Sequence, residues 1–214
     1  LKIFLAVIIV SMINNEYSYG TLKQNLIDGM SKKEFLLSKV YTILVFSLVS
    51  TTLVFVISLI LGLKYSSFTE IGIIFSDLEY LFAYFLKHVA FFSFCLFLAL
   101  LIKRSAFTLG FIFVWFLGEN IGHAILKYQI LGYTHLDKDT TPIDFLKKLF
   151  PLESRSNLIV EPFTRLNIVK SVTTTVGATI EKNYAVEPVS IVIVLFWTCL
   201  FLLLSFYILK KRDL

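Results

Sequence analysis

The stretch Val40–Leu63 contains no charged residue and is long enough to cross a bilayer, whose ~30 Å hydrocarbon core takes about 20 apolar residues in a helix. Three further apolar runs are as long: Leu78–Ile102, which carries Glu79 and Lys87, Ser105–Leu126, which carries Glu119, and Val189–Leu209, which is uncharged. Within lipid every backbone polar group must be satisfied internally. These runs are continuous rather than alternating, so each is predicted to be a helix. Composition agrees, with 57% hydrophobic and only 16% charged residues, where a soluble domain carries about a quarter charged. The expected fold is all-α: a polytopic transmembrane helical bundle forming a single domain. The opening run, Leu1–Ile13, is too short to span and is expected to be the end of a truncated span. It has no charged n-region or small-residue cleavage site, which argues against a secretory signal peptide. Cys95 and Cys199 both fall inside apolar runs and read as small buried hydrophobes rather than a disulfide.

Charge placement orients the spans. Lys23, Lys32, Lys33, Lys39, Lys103, Arg104, Lys210, Lys211 and Arg212 would share one side, against Lys64 alone in the short loop Lys64–Asp77. The positive-inside rule makes the richer side cytosolic, including residues 14–39 and the C-terminus. The region 127–188 then lies outside as a long extracytoplasmic loop. In it, Pro142 can start a helix placing Ile143, Leu146 and Phe150 on one face and Lys147-Lys148 opposite, with Pro151 ending it. The β-branched stretch Ile168–Ile180 can be read as strand or helix.

The cytosolic stretch Glu16–Lys39 is the one well-patterned polar island. Thr21 with Gln24 forms a T-x-x-Q capping box for a helix starting at Leu22. Gly29 stands where that helix should stop, since glycine adopts the left-handed conformation without steric cost. Ser31 with Glu34 forms a second box, opening the helix that enters the next span. Tyr19, Leu22, Leu26 and Met30 share a face, leaving Lys23, Asn25 and Asp28 off it. A short amphipathic helix, a turn and a span make a docking element.

Glu16, Gly20, Thr21, Leu26, Gly29, Ser31 and Lys39 resemble the signature of the type 2 ABC transporter permeases, as does the basic ending Lys210–Asp213. The resemblance implies that residues 16–39, with the Tyr19 and Leu22 face, form a cytosolic coupling helix touching a separate ATP-binding ABC subunit. It implies a second permease copy or sister permease and an exporter in a prokaryotic cytoplasmic membrane. Lys32-Lys33 stands where the family often has arginine, and five hydrophobic segments stand where the family has six. No phosphate-cradling G-x-x-x-x-G-K-[ST] loop occurs, so ATP and magnesium would belong to the partner and this chain would hold no cofactor.

No H-E-x-x-H zinc helix or G-x-S-x-G nucleophile elbow occurs. The basic residues track membrane topology and lack the aromatic interleaving of a nucleic-acid surface. The internal polar residues are Lys87, His88, Glu119, Asn120 and His123. Lys87 and Glu119 lie at similar distances from the Lys103-Arg104 turn, about 22–24 Å at ~1.5 Å per residue, so antiparallel helices would bring them to one depth. Three roles are open: a structural ion pair, a polar patch on a substrate path, or a relay or metal site using His88, Glu119 and His123. Gly118 and Gly122 form a G-x-x-x-G that permits close helix approach. The alternatives to a permease are a membrane anchor or assembly factor recruiting a cytosolic partner, and a membrane-embedded enzyme using Glu119 and His123.

Overall fold

The computed structural model describes residues 2–65, 78–126, 128, 146, 148–156, 158–159 and 185–211. Among them the chain forms helices α1 (Lys2–Ser18), α2 (Thr21–Ile27), α3 (Lys32–Tyr65), α4 (Leu78–Ile102), α5 (Ser105–Ile125), α6 (Pro151–Ser156) and α7 (Pro188–Lys211), and no strand. The stretch read as strand or helix at Ile168–Ile180, and the proposed helix start at Pro142, lie outside the described residues. Helices α3, α4, α5 and α7 are each long and apolar enough to cross a membrane. This is an integral membrane protein.

Helix α4 is the axis of the bundle, packed against α1, α3, α5, α6 and α7. Its burial follows from composition: Ala83, Ala90, Cys95 and Ala99 let neighbours approach, and Phe92, Leu96 and Leu100 fill the spaces between. The facing helices present i, i+3/i+4 stripes, Ile43, Ser47 and Ser50 on α3 and Ser190, Val194, Thr198, Phe201, Ser205 and Leu209 on α7. In lipid, where burial of apolar surface does not drive helix pairing, small residues make tight backbone contact possible. The hydroxyls of Thr198 and Ser205 return to the carbonyls of Val194 and Phe201 at 2.8 and 2.7 Å, so they are buried without needing another helix.

Helix α5 is different. Only Thr108 and Glu119 are buried on it, and Phe111, Phe113 and Phe116 face outward. A Cβ added at Gly118 or Gly122 would meet nothing within 4 Å, so the G-x-x-x-G does not seat a helix of this chain among the described residues. Cys95 is buried as expected, whereas Cys199 lies exposed on α7, because position 199 falls off that helix's inward stripe.

The α4–α5 turn is built by Lys103, which adopts φ 62°, a left-handed conformation that costs a non-glycine residue about 1–2 kcal/mol. Asn14 of α1, fully buried, offsets it. With its amide assigned from the hydrogen-bond network, Asn14 donates to the Ala99 carbonyl at 2.9 Å and accepts from the Ser105 N–H at 3.1 Å. It thereby serves an end carbonyl of one helix and an orphan first-turn amide of the next. Nearby, Lys32 Nζ donates to the Lys210 carbonyl at 3.3 Å, so the start of α3 and the end of α7 meet at the same basic end of the bundle.

Helix α6 is the main departure from expectation. Pro151 begins this helix rather than merely ending a preceding one, and residues 151–156 pack against the spanning helices. Leu152 joins Phe94, Leu98 and Phe201 in one buried cluster, and Leu158 joins Ala83, Leu86, Ala90 and Val194 in another. Phe201 is about 20 Å along α7 from its start at ~1.5 Å per residue. Helix α6 therefore packs among α4, α5 and α7 rather than apart from them. Its entry is fixed against α7 by a Lys148–Glu187 ion pair and by Trp197 Nε1, which donates to the Leu149 carbonyl at 3.0 Å.

Candidate functional site

Two constellations stand out, one at each level of the bundle. The first is the elbow at the basic end. Helix α2 leaves α1 at 66°. The bend is made by Gly20 at φ 69°, in the left-handed region, with no side-chain cap. The expected T-x-x-Q box is therefore absent: Thr21 is the first helical residue, and its hydroxyl instead donates backward to the Glu16 carbonyl at 3.4 Å. A glycine that turns sharply needs no capping side chain at the following position.

The other end of α2 follows expectation. Gly29 takes φ 101°, Met30 N–H reaches the Asn25 carbonyl at 3.0 Å and Gly29 N–H the Leu26 carbonyl at 3.3 Å. These are the paired bonds of a Schellman cap. Ser31 and Glu34 then form a complete reciprocal box: Ser31 N–H donates to Glu34 Oε2 at 2.7 Å, and Glu34 N–H to Ser31 Oγ at 3.2 Å.

The residues at the two ends of the element meet. Lys39 forms an ion pair with Glu16, with side chains only 10% and 21% exposed. Its ammonium also lies over the Phe35 ring at 4.9 Å, and Lys103 lies over Tyr17 at 5.5 Å. This clasp closes α1, α2 and α3 into one unit tied to the α4–α5 turn. The predicted apolar face is divided by it. Leu22 is 2% exposed and joins the main core, with Leu26 packed against it, whereas Tyr19 and Ile27 are 78% and 75% exposed. Leu22 is thus a structural anchor, and the outward surface is Tyr19, Lys23, Gln24 and Ile27.

The second constellation lies within the spans. The segment Phe150-Pro151-Leu152-Glu153 starts α6 with proline at the first helical position, where a missing N–H costs nothing. Phe150, however, has no acceptor to cap the following amides. Glu119 of α5 supplies it from another helix. Its carboxylate accepts the Leu152 N–H at 3.0 and 3.1 Å, the Glu153 N–H at 3.1 Å, and Trp115 Nε1–H at 2.7 Å. This corrects the expected Lys87–Glu119 pairing: no such ion pair occurs among the described residues. A helix start with orphan amides offered Glu119 directed donors at fixed positions.

The other members of the predicted polar cluster do not converge on Glu119. His88 is buried, its Nδ1 2.9 Å from the Tyr84 carbonyl and its ring beside Tyr84 and Phe92. Asn120 is exposed and donates to the Phe116 carbonyl at 2.7 Å. His123 lies one turn beyond Glu119, but among the described residues no three His, Cys, Asp or Glu side chains could hold a metal.

The residue sequence reading missed is Arg155. It is 8% exposed, its Nε donates to the Pro151 carbonyl at 3.2 Å, and its guanidinium lies 4.6 Å from the centre of the Phe91 ring. Phe91 is close to the midpoint of α4, which places the cation near mid-span. The signal available was an Arg two residues beyond an acidic first turn after F-P. It carried no information about depth, because α6 is too short to show a periodicity.

A family model described as "Protein of unknown function (DUF2705)" matches residues 1–214. The chain belongs to this family. No curated relative matches the sequence.

Proposed function

We propose that this chain is the membrane-spanning subunit of an ATP-driven exporter resembling the type 2 ABC permeases, coupled to a separate ATP-binding subunit through residues 16–39. The observation that carries this reading is the clasped elbow. The Glu16–Lys39 ion pair, Gly20, and the caps at Gly29 and Ser31 hold a short helix rigidly at the basic end while leaving Tyr19 and Ile27 exposed. By the positive-inside rule that end faces the cytosol, where an ATP-binding partner would be. Force on α2 would reach α3 through the clasp, and α4 and α5 through Asn14 and the Tyr17–Lys103 contact.

In this reading ATP and magnesium stay with the partner, and a second permease copy or sister permease completes the assembly, its membrane location being a prokaryotic cytoplasmic membrane. The test is co-purification of the tagged chain with an ATP-binding subunit, followed by ATP hydrolysis and transport in vesicles. Tyr19→Asp with Ile27→Asp should preserve membrane insertion and abolish coupling. Co-purification with an unrelated enzyme, or full coupling in that double variant, would overturn the proposal in favour of a membrane anchor.

A further inference from the structure

We infer that the junction of α3 and α7 at the basic end binds the headgroup phosphate of an anionic phospholipid, with Lys33, Lys210 and Lys211 as its cations. Lys32 brings the two helix ends together. Its Nζ donates to the Lys210 carbonyl at 3.3 Å, serving an end carbonyl at the negative pole of the α7 dipole. That contact gathers further ammonium groups at one place: Lys33 on α3, and Lys210 and Lys211 at the end of α7, all three exposed. Among the described residues none of these three side chains has an ion-pair partner. The carboxylate beside them, Glu34, is held in the cap of α3, where its Oε2 accepts the Ser31 N–H at 2.7 Å and the Ser31 hydroxyl at 2.9 Å. Arg212 and Asp213, which follow in the sequence, add one charge of each sign and leave the balance unchanged. Like charges collected in this way repel, and a phosphate, with several oxygens to accept charge-assisted hydrogen bonds, relieves them.

The surface running away from the lysines decides what carries the phosphate. On α3, Leu37 and Tyr41 follow Lys33 at four-residue spacing, and on α7, Tyr207 and Leu203 precede Lys211 at the same spacing. All four are exposed. Each stripe therefore leads from a cation at a helix end onto the apolar surface of a helix long enough to cross the membrane, where acyl chains lie. Tyr207 is about 6 Å from Lys211 along the axis at ~1.5 Å per residue, at the interfacial depth that suits an apolar ring with a polar tip. Inorganic phosphate would meet the charge and leave the stripes untouched. An acidic segment of a soluble protein would not reach them, and a zwitterionic headgroup brings its own cation to the lysines. An anionic phospholipid satisfies the cations and the stripes together. The site goes beyond the transport reading and does not depend on it, since it needs only a membrane-embedded chain whose α3 and α7 ends meet.

The experiment reconstitutes the purified chain in phosphatidylcholine vesicles with a trace of spin-labelled phosphatidylglycerol or spin-labelled phosphatidylcholine. Electron paramagnetic resonance then reads the share of each probe immobilised at the protein. Phosphatidylglycerol should be held at least about fivefold more strongly at low ionic strength, given the attraction each basic residue near the surface contributes, and the preference should shrink as added salt screens it. Lys33→Gln with Lys211→Gln should bring the two probes close to parity, and Lys211→Gln alone should lose part of the preference. Arg104→Gln, which removes one charge from the same end at the α4–α5 turn, should keep it. Equal retention of the two probes by the unsubstituted protein overturns the inference, as does an undiminished preference in the Lys33→Gln, Lys211→Gln protein. An equal fall in Arg104→Gln and Lys211→Gln overturns it too, reducing the site to the diffuse attraction of any basic membrane end. Displacement of the phosphatidylglycerol probe by millimolar inorganic phosphate would assign the lysines to a soluble anion instead and refute the lipid. No ATP-binding partner is present in these vesicles, so this inference and the transport proposal fail separately.

Discussion

Replacing Glu119 with alanine tests whether one side chain holds α6 inside the bundle. The substitution removes the acceptor of the Leu152 and Glu153 amides and of the Trp115 indole. Trp115 is partly exposed and can turn outward, so the two backbone amides dominate. Each bond to a charged acceptor contributes about 1.5–3 kcal/mol net, and each donor left buried costs ~1–3 kcal/mol. Taking the low end for both amides gives about 3 kcal/mol, all of it acting on the equilibrium between a seated and a released α6. At ~1.4 kcal/mol per tenfold, the released population rises on the order of a hundredfold. Ser154, 1% exposed and at the centre of α6, is the reporter position. Ser154→Cys in a Cys199→Ser background leaves Cys95 as the other thiol, and Cys95 is fully buried. Labelling of Cys-substituted position 154 by a membrane-impermeant maleimide then follows the released population, provided opening is fast relative to reaction. Glu119→Gln, which retains one acceptor oxygen, should give roughly a tenfold increase. Asn120→Ala, on the exposed neighbouring position, should give none. An unchanged labelling rate in Glu119→Ala refutes the capping argument, as does an equal increase in Asn120→Ala.

Three other outcomes follow from the basic end. Gly29→Ala forces a side chain into φ 101° and should lower stability by about 1–2 kcal/mol, read as a fall in the detergent-solubilised unfolding temperature, while Gly118→Ala, with open space around it, should not. Lys39→Met should cost about 3 kcal/mol, the low end for orphaning a buried ion-pair partner, and adding Glu16→Gln should recover most of that in a double-mutant cycle. Asn14→Leu leaves the Ser105 N–H unserved beside a left-handed Lys103 and should destabilise by about 1–3 kcal/mol; increased protease cleavage at the α4–α5 turn is the measurement.

The amino-acid sequence by itself determined the candidate membrane spans, because long apolar runs admit few other backbone solutions in lipid. It also determined the Gly29 stop and the Ser31–Glu34 box, whose hydrogen bonds close within a few residues. The start of α2 was misread because Gly20 and Thr21 offered competing local solutions, and only the direction of the chain relative to α1 selects the glycine. Leu22 and Tyr19 share a helical face in sequence, yet the 66° bend turns one into the core and leaves the other in solvent. The pairing of Glu119 was decided by tertiary structure: depth counting located a carboxylate, but its partners are backbone amides, which carry no sequence signature. Arg155 lay beyond sequence reading for the same reason. A six-residue helix has no periodicity to announce it, and only packing against α4, α5 and α7 puts its guanidinium over the Phe91 ring near mid-span.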